Sequence, residues 1–118
     1  MIKVLVLVGT RPEAIKMAPI IKELKSSAEY EVTVCATSQH KELLQQVFDF
    51  FGITSDFDLQ VMEVNQSLSS LTSKIITQLT DVLAQVKPEW MIVQGDTTTA
   101  MAGALAAFYQ KIKIAHVE

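Results

Sequence analysis

Val8-Gly9-Thr10-Arg11-Pro12-Glu13 joins an apolar run, Ile2 to Val8, to a helical pattern that opens at Ala14. A strand that ends in glycine and turns at once into a helix sets the helix's N-terminal amides at the carboxyl edge of a sheet. Anionic ligands bind there in open α/β folds. Arg11 adds a guanidinium to the turn, and Lys16 lies about one helical turn further on. Two cations and free amides converging on one spot suit a phosphate group. Thr10 and Glu13 also have the spacing of a capping box, and in that reading Arg11 is a solvated loop charge.

Working outward, the apolar positions from Ala14 keep helical spacing to the Ser26-Ser27 break. Residues 31–36 alternate and are β-branched, a second strand. Lys41–Phe51 carries Leu43, Leu44, Val47, Phe48 and Phe51 on one stripe and stops at Gly52. A short strand is expected over 58–62. The longest helix is expected over 67–86, ended by Pro88. A continuous apolar strand follows over 90–93, with the turn Gly95-Asp96-Thr97 behind it. A small-residue helix (99–109) and a final strand (112–117) complete the pattern. The alanines and Gly103 of that helix suit close packing on a sheet. Strands alternating with helices predict a doubly wound parallel sheet in the order 3-2-1-4-5, covered on both faces through right-handed crossovers. The chain stops at Glu118 on a strand end, where a domain of this kind would normally continue. The expectation is therefore a truncated piece of a larger α/β protein.

The 118 residues suffice for one domain. Hydrophobic residues make up 49% of the chain, yet no apolar run approaches the ~20 residues of a membrane-spanning helix. The start lacks the pattern of a secretory signal, since Lys3 interrupts a short β-type run. A net charge of −3 without single-sign blocks argues against nucleic acid as a partner. Cys35 is the single cysteine, which excludes an internal disulfide and fits a cytoplasmic setting. Its strand position marks it as a packing thiol rather than a nucleophile.

In a parallel sheet the carboxyl ends of all strands share one edge. Gly9-Thr10-Arg11, Thr37-Ser38-Gln39-His40, Gln94-Gly95-Asp96-Thr97 and His116-Val117-Glu118 are expected to gather there. Asp96 could be a general base, a hydroxyl acceptor or the cap of the following helix. Glu118 ends the neighbouring strand, either as the second member of a carboxylate pair or as a surface charge. His40 and His116 lack a CxxC, HExxH or Asp-rich companion, so no metal site is expected. The Gly-x-Gly-x-x-Gly fingerprint is absent, which counts against a dinucleotide; no cofactor is expected. Ser38 and Cys35 have no nucleophile-elbow context.

Taken together, Gly9-Thr10-Arg11-Pro12-Glu13, Lys16-Met17-Ala18-Pro19, Gln39-His40, Gly95-Asp96-Thr97-Thr98-Thr99 and His116-Val117-Glu118 resemble the N-terminal portion of the bacterial non-hydrolysing UDP-N-acetylglucosamine 2-epimerases. The resemblance runs over the whole chain. It implies the N-terminal Rossmann-like half of a two-domain GT-B-type architecture, with the ligand in the cleft between halves. The implied reaction interconverts UDP-GlcNAc and UDP-ManNAc by eliminating UDP and adding it back. In that scheme Asp96 and Glu118 match acid/base positions, and Arg11 and Lys16 match polar and cationic substrate-binding positions. Gln39, His40 and Gln66 match positions of an activator site for a second nucleotide sugar. Asn65 and Glu42 depart from some relatives there. The resemblance further implies a homodimer formed through the N-terminal domain, with helices 41–51 and 67–86 as candidates and Phe48, Phe50 and Phe51 along the first. The 118 residues alone are expected to be inactive. The rival readings are a sugar-nucleotide glycosyltransferase of the same architecture, a hydrolysing epimerase, and a non-catalytic nucleotide-binding or assembly module.

Overall fold

The structure, a computed structural model, describes residues 1–37 and 41–118. Five strands form one parallel sheet: β1 (Ile2–Val8), β2 (Tyr30–Ala36), β3 (Phe57–Asp58), β4 (Trp90–Gln94) and β5 (Lys113–Val117). Their order is β3-β2-β1-β4-β5, as the alternating pattern predicts. Four helices connect them: α1 (Arg11–Ser26), α2 (Lys41–Phe51), α3 (Leu68–Val86) and α4 (Thr98–Tyr109).

The two faces of β1 explain the layers. Val4, Val6 and Val8 point to one side and pack with Ala14, Met17, Ala18 and Ile21 of α1 and Leu44, Val47 and Phe48 of α2. Leu5 and Leu7 point to the other, against Leu79, Val82 and Leu83 of α3 and Ala100, Ala106 and Ala107 of α4. A strand covered on both faces must be apolar throughout, which is why Ile2–Val8 reads as a continuous run. The small residues of α4 do what their size suggests. A Cβ on Gly103 would come within 2.2 Å of Leu7 Cδ2, so α4 lies nearer the sheet than any side chain there would allow.

Two boundaries differ from the pattern. α1 begins at Arg11 rather than Ala14, because Pro12 falls in the first turn, where its missing N–H is no loss, and Glu13 sits at the third helical position. The expected strand over 58–62 shrinks to Phe57–Asp58. Asp56 starts the pairing with β2 and Leu59 N still donates to Ala36 O at 2.8 Å, but Gln60 turns to φ +49 and ends the extended run. No helix among the described residues is long and apolar enough to cross a membrane.

Cys35 is fully buried between β1 and β3. Burial pushes its thiol up from 9.0 to about 12, with the Asp58 and Asp56 carboxylates adding to the effect. A native thiol that keeps its proton longer than the unfolded one contributes stability in full below about pH 9 and loses it as pH rises towards 12. Ellman's reagent at pH 8 should therefore leave the native protein unmodified and react once urea unfolds it. Rapid labelling of the native protein would contradict this placement of Cys35.

Candidate functional site

All strand carboxyl ends lie on one edge; the turns after β1 and β4 bring Arg11 and Asp96 to it, and Glu118 directly follows β5 there. The β4–β5 ladder runs to Gln94↔Val117, and Gly95 N donates to Val117 O at 2.9 Å. Asp96 and Glu118 thus leave adjacent strands two and one residues past the paired positions Gln94 and Val117, and both are exposed. Gly95 sits at φ +76, a conformation that glycine adopts without strain. His116, on the outer strand, lies with its Nε2 2.6 Å from Gly95 O, so the turn carrying Asp96 is tied to β5 through both its N–H and its carbonyl. Asp96 and His116 border a cavity of about 460 Å³ whose walls include Val93, Ala100, Met101 and Ile114. Thr97, not Asp96, caps α4: its hydroxyl accepts from Ala100 N at 3.2 Å. Asp96 is thereby left free of the capping role that its position suggested.

Arg11 is exposed and lines a groove of about 400 Å³ between α1 and α2 with Ile15, Gln46, Val47, Phe50 and Phe51. Lys16 is also exposed, but five residues along a helix place it about 140° round from Arg11. It lines neither cavity, so the two cations do not share one wall. Gln66 is half-buried and occupied locally: its Nε2 donates to Val61 O at 2.9 Å and holds the loop before α3. Gln39 and His40 lie outside the described residues.

The group that sequence reasoning underestimated is Glu13. Its side chain is 2% exposed. Oε1 accepts from the backbone amides of Gly9 and Thr10, both at 2.8 Å, and Oε2 accepts from the Thr97 hydroxyl 84 residues away. The glutamate half of a capping box is therefore present, extended into a tertiary tie. This has a consequence for anion binding. Two of the amides that the turn offered to a phosphate are already taken by a carboxylate of the chain itself. An anion at this edge would meet the exposed Arg11 side chain and whichever amides Glu13 leaves free. Beside Glu13, Thr37 and Thr99, both buried, bring their hydroxyls to 3.2 Å across Gly9. The signal for this cluster in the sequence was the hydroxyl-rich run Thr97-Thr98-Thr99, which gives no hint of its partners.

A doubly wound parallel sheet with carboxylates and a guanidinium at its carboxyl edge defines the class of open α/β proteins that bind a ligand at the switch point of the sheet. The sequence profile of the UDP-N-acetylglucosamine 2-epimerases matches residues 22–118, and the chain belongs to that family. It is 54% identical over 116 residues to the UDP-N-acetylglucosamine 2-epimerase of Neisseria meningitidis, covering 98% of this chain and 31% of the other. A relative from Salmonella borreze is likewise 54% identical, over all 118 residues and 31% of its own length. The chain thus spans about a third of the relatives it matches. The crystal structure of the Neisseria meningitidis enzyme bound to UDP-GlcNAc superposes with a TM-score of 0.94, covering 99% of this chain and 32% of that one. A Staphylococcus aureus MnaA–UDP structure, 48% identical, gives 0.96 over all of this chain and 31% of that one. Acinetobacter baumannii MurG, at 16% identity and a TM-score of 0.78, shares the fold.

A Cβ on Gly9 would lie 2.2 Å from Thr99 Oγ1 and 2.6 Å from Thr37 Oγ1. Gly9→Ala should therefore destabilise the chain by about 1–3 kcal/mol in urea unfolding, the usual cost of overpacking. An unchanged midpoint would mean that the three turns are not in contact.

Proposed function

We propose that residues 1–118 form the N-terminal part of an isomerase that interconverts UDP-GlcNAc and UDP-ManNAc, with Asp96 and Glu118 moving protons and Arg11 and Lys16, on different sides of α1, as substrate-binding cations. The observation that carries this reading is the family's sequence together with the placement of Arg11, Asp96 and Glu118 along one sheet edge. In the proposed chemistry a carboxylate takes the proton from C2 while the C1–O bond breaks. The electron pair forms the C1=C2 bond of a 2-acetamidoglucal, and UDP leaves with the C1–O electrons. UDP then adds back to C1, and a proton is delivered to the opposite face of C2. Exposed carboxylates on neighbouring strand ends suit two proton transfers at one carbon. The absence of a membrane-crossing helix among the described residues suits a cytoplasmic reaction. Gln39, His40 and Gln66 would serve a second nucleotide sugar as activator; Gln66 keeps a further N–H and its carbonyl oxygen beside the bond to Val61.

The relatives are about three times longer than this segment, so the reaction needs cleft walls that these residues do not supply. A chimera joining residues 1–118 to the part of the Neisseria meningitidis enzyme that follows its matched segment should therefore epimerise UDP-GlcNAc, while the 118-residue chain alone should not. A folded chimera that binds UDP without turnover would overturn the reading. Release of UDP with free ManNAc would replace it with the hydrolysing one. Within the chimera, Asp96→Asn should lower kcat by about 10²–10⁴-fold, the range for an acid/base residue. A change in KM alone would make Asp96 a binding group.

Self-association belongs to the same proposal. Phe48 is in the core and Phe51 is half-buried, but Phe50 is 83% exposed beside it, and Leu68 opens α3 facing solvent. A homodimer through α2 and α3 would bury these side chains in a two-fold contact of at least about 1,000 Å². Light scattering should give twice the chain mass, returning to the monomer with Phe50→Asp. A monomeric wild type would sink this part of the proposal.

A further inference from the structure

The ladder between β1 and β4 ends early. Its last paired residues are Val6↔Ile92, although β1 continues to Val8 and β4 to Gln94. The other two long seams stay closed to the edge. β1 and β2 pair as far as Val8↔Ala36, followed by Thr37 N donating to Val8 O at 2.9 Å. β4 and β5 pair to Gln94↔Val117, followed by the Gly95 bond. The sheet is therefore parted at one place on its carboxyl edge, between the turn that carries Arg11 and the turn that carries Asp96.

Across that parting the backbone makes no ladder bond, and a side chain takes over. Glu13 holds Gly9 N and Thr10 N with one carboxylate oxygen and the Thr97 hydroxyl with the other. Thr10 directly precedes Arg11, and Thr97 directly follows Asp96. The Thr97 proton goes to Glu13, which leaves the Thr97 oxygen to accept from Ala100 N and fix the first turn of α4. The bond between Thr37 and Thr99, packed over Gly9, ties the turn after β2 to the same point.

We propose that Glu13 is a positioning residue, which sets the turn bearing Asp96 against the turn bearing Arg11 across the open β1–β4 seam. This rests on the epimerase reading, in which those two turns handle one substrate. Glu13 is buried, and its two carboxylate oxygens are engaged by Gly9, Thr10 and Thr97; it acts through these neighbours. A misplacement of about 1 Å at a reacting centre costs on the order of 10²-fold in rate.

The decisive variant is Glu13→Gln, which keeps the size of the side chain and the α4 cap but turns an NH2 towards the Thr97 hydroxyl. In the chimeric enzyme, assayed well below its melting temperature and per folded molecule, it should lower kcat about 10- to 100-fold and leave KM within about threefold. Thr97→Val should behave alike, Thr97→Ser should restore the rate, and the double variant should be no worse than the poorer single one. Wild-type kcat in a folded Glu13→Gln protein, or losses that multiply in the double variant, would overturn the proposal. Should Glu13→Gln fail to fold, Glu13→Asp, one methylene short of Thr97 and leaving the α4 cap in place, decides it: an unchanged kcat would overturn the proposal. A wild-type chimera without turnover would defeat the epimerase reading instead. Glu13 is then judged on the 118-residue chain itself, where Glu13→Gln should move the amide resonances of Asp96 and Thr97, and unmoved resonances would refute the tie.

Discussion

The carboxyl edge of this sheet depends on one buried carboxylate. A doubly wound sheet reverses direction between β1 and β4, and there its connections leave towards opposite faces, opening a crevice. That crevice gives a ligand access to the strand ends, but it also removes the backbone bonds that would keep the two flanking turns in register. Glu13 resolves the conflict with a side chain. Hydrogen bonds to charged groups contribute about 1.5–3 kcal/mol each, and a buried donor left unmatched costs about as much. With three donors converging on it, Glu13 is therefore much more than the end of a helix cap.

This arrangement changes how the N-terminus of α1 can be used. Free amides at a helix start favour anions, but here the helix supplies its own. Gly9 and Thr10 spend their N–H groups internally, so the positive character of the turn comes from the Arg11 guanidinium, which projects from the edge into the α1–α2 groove. A flexible cation can follow a charged group that leaves and returns, whereas a rigid pair of amides holds it in place. For a proposed reaction in which UDP departs and is added back, the mobile contact is the better suited.

Close approach of α4 makes the brace possible. Gly103 and the alanines of that helix let it settle against Leu7, which carries Thr97 and Thr99 down to the level of Gly9. Gly9 in turn has no side chain to hold Thr37 and Thr99 apart. Two glycines and two threonines, two of them on α4 and the others just past β1 and β2, thus share a packing solution in which each is small because its neighbour must come near. On the neighbouring strand β5, His116 and Val117 hold the Gly95 turn, so Asp96 is constrained from both sides while its own side chain faces solvent.

Strand order, helix positions and the identity of the shared edge were legible in the linear chain. They follow from the period of apolar residues and from the rule that parallel crossovers are right-handed, both of which act locally or topologically. The motifs around Arg11, Asp96 and Glu118 could be assigned to that edge for the same reason. The extent of β3 was not legible, because the backbone turn at Gln60 has no glycine or proline to announce it. Nor was the role of Glu13, whose sequence context is fully accounted for by a helix cap. Its partner Thr97 lies 84 residues away, and that pairing exists only because the sheet sets β4 beside β1 and parts them at the edge. Local pattern determined which elements form and in what order; the three-dimensional meeting of distant side chains decided which polar groups are spent on the fold and which remain for chemistry.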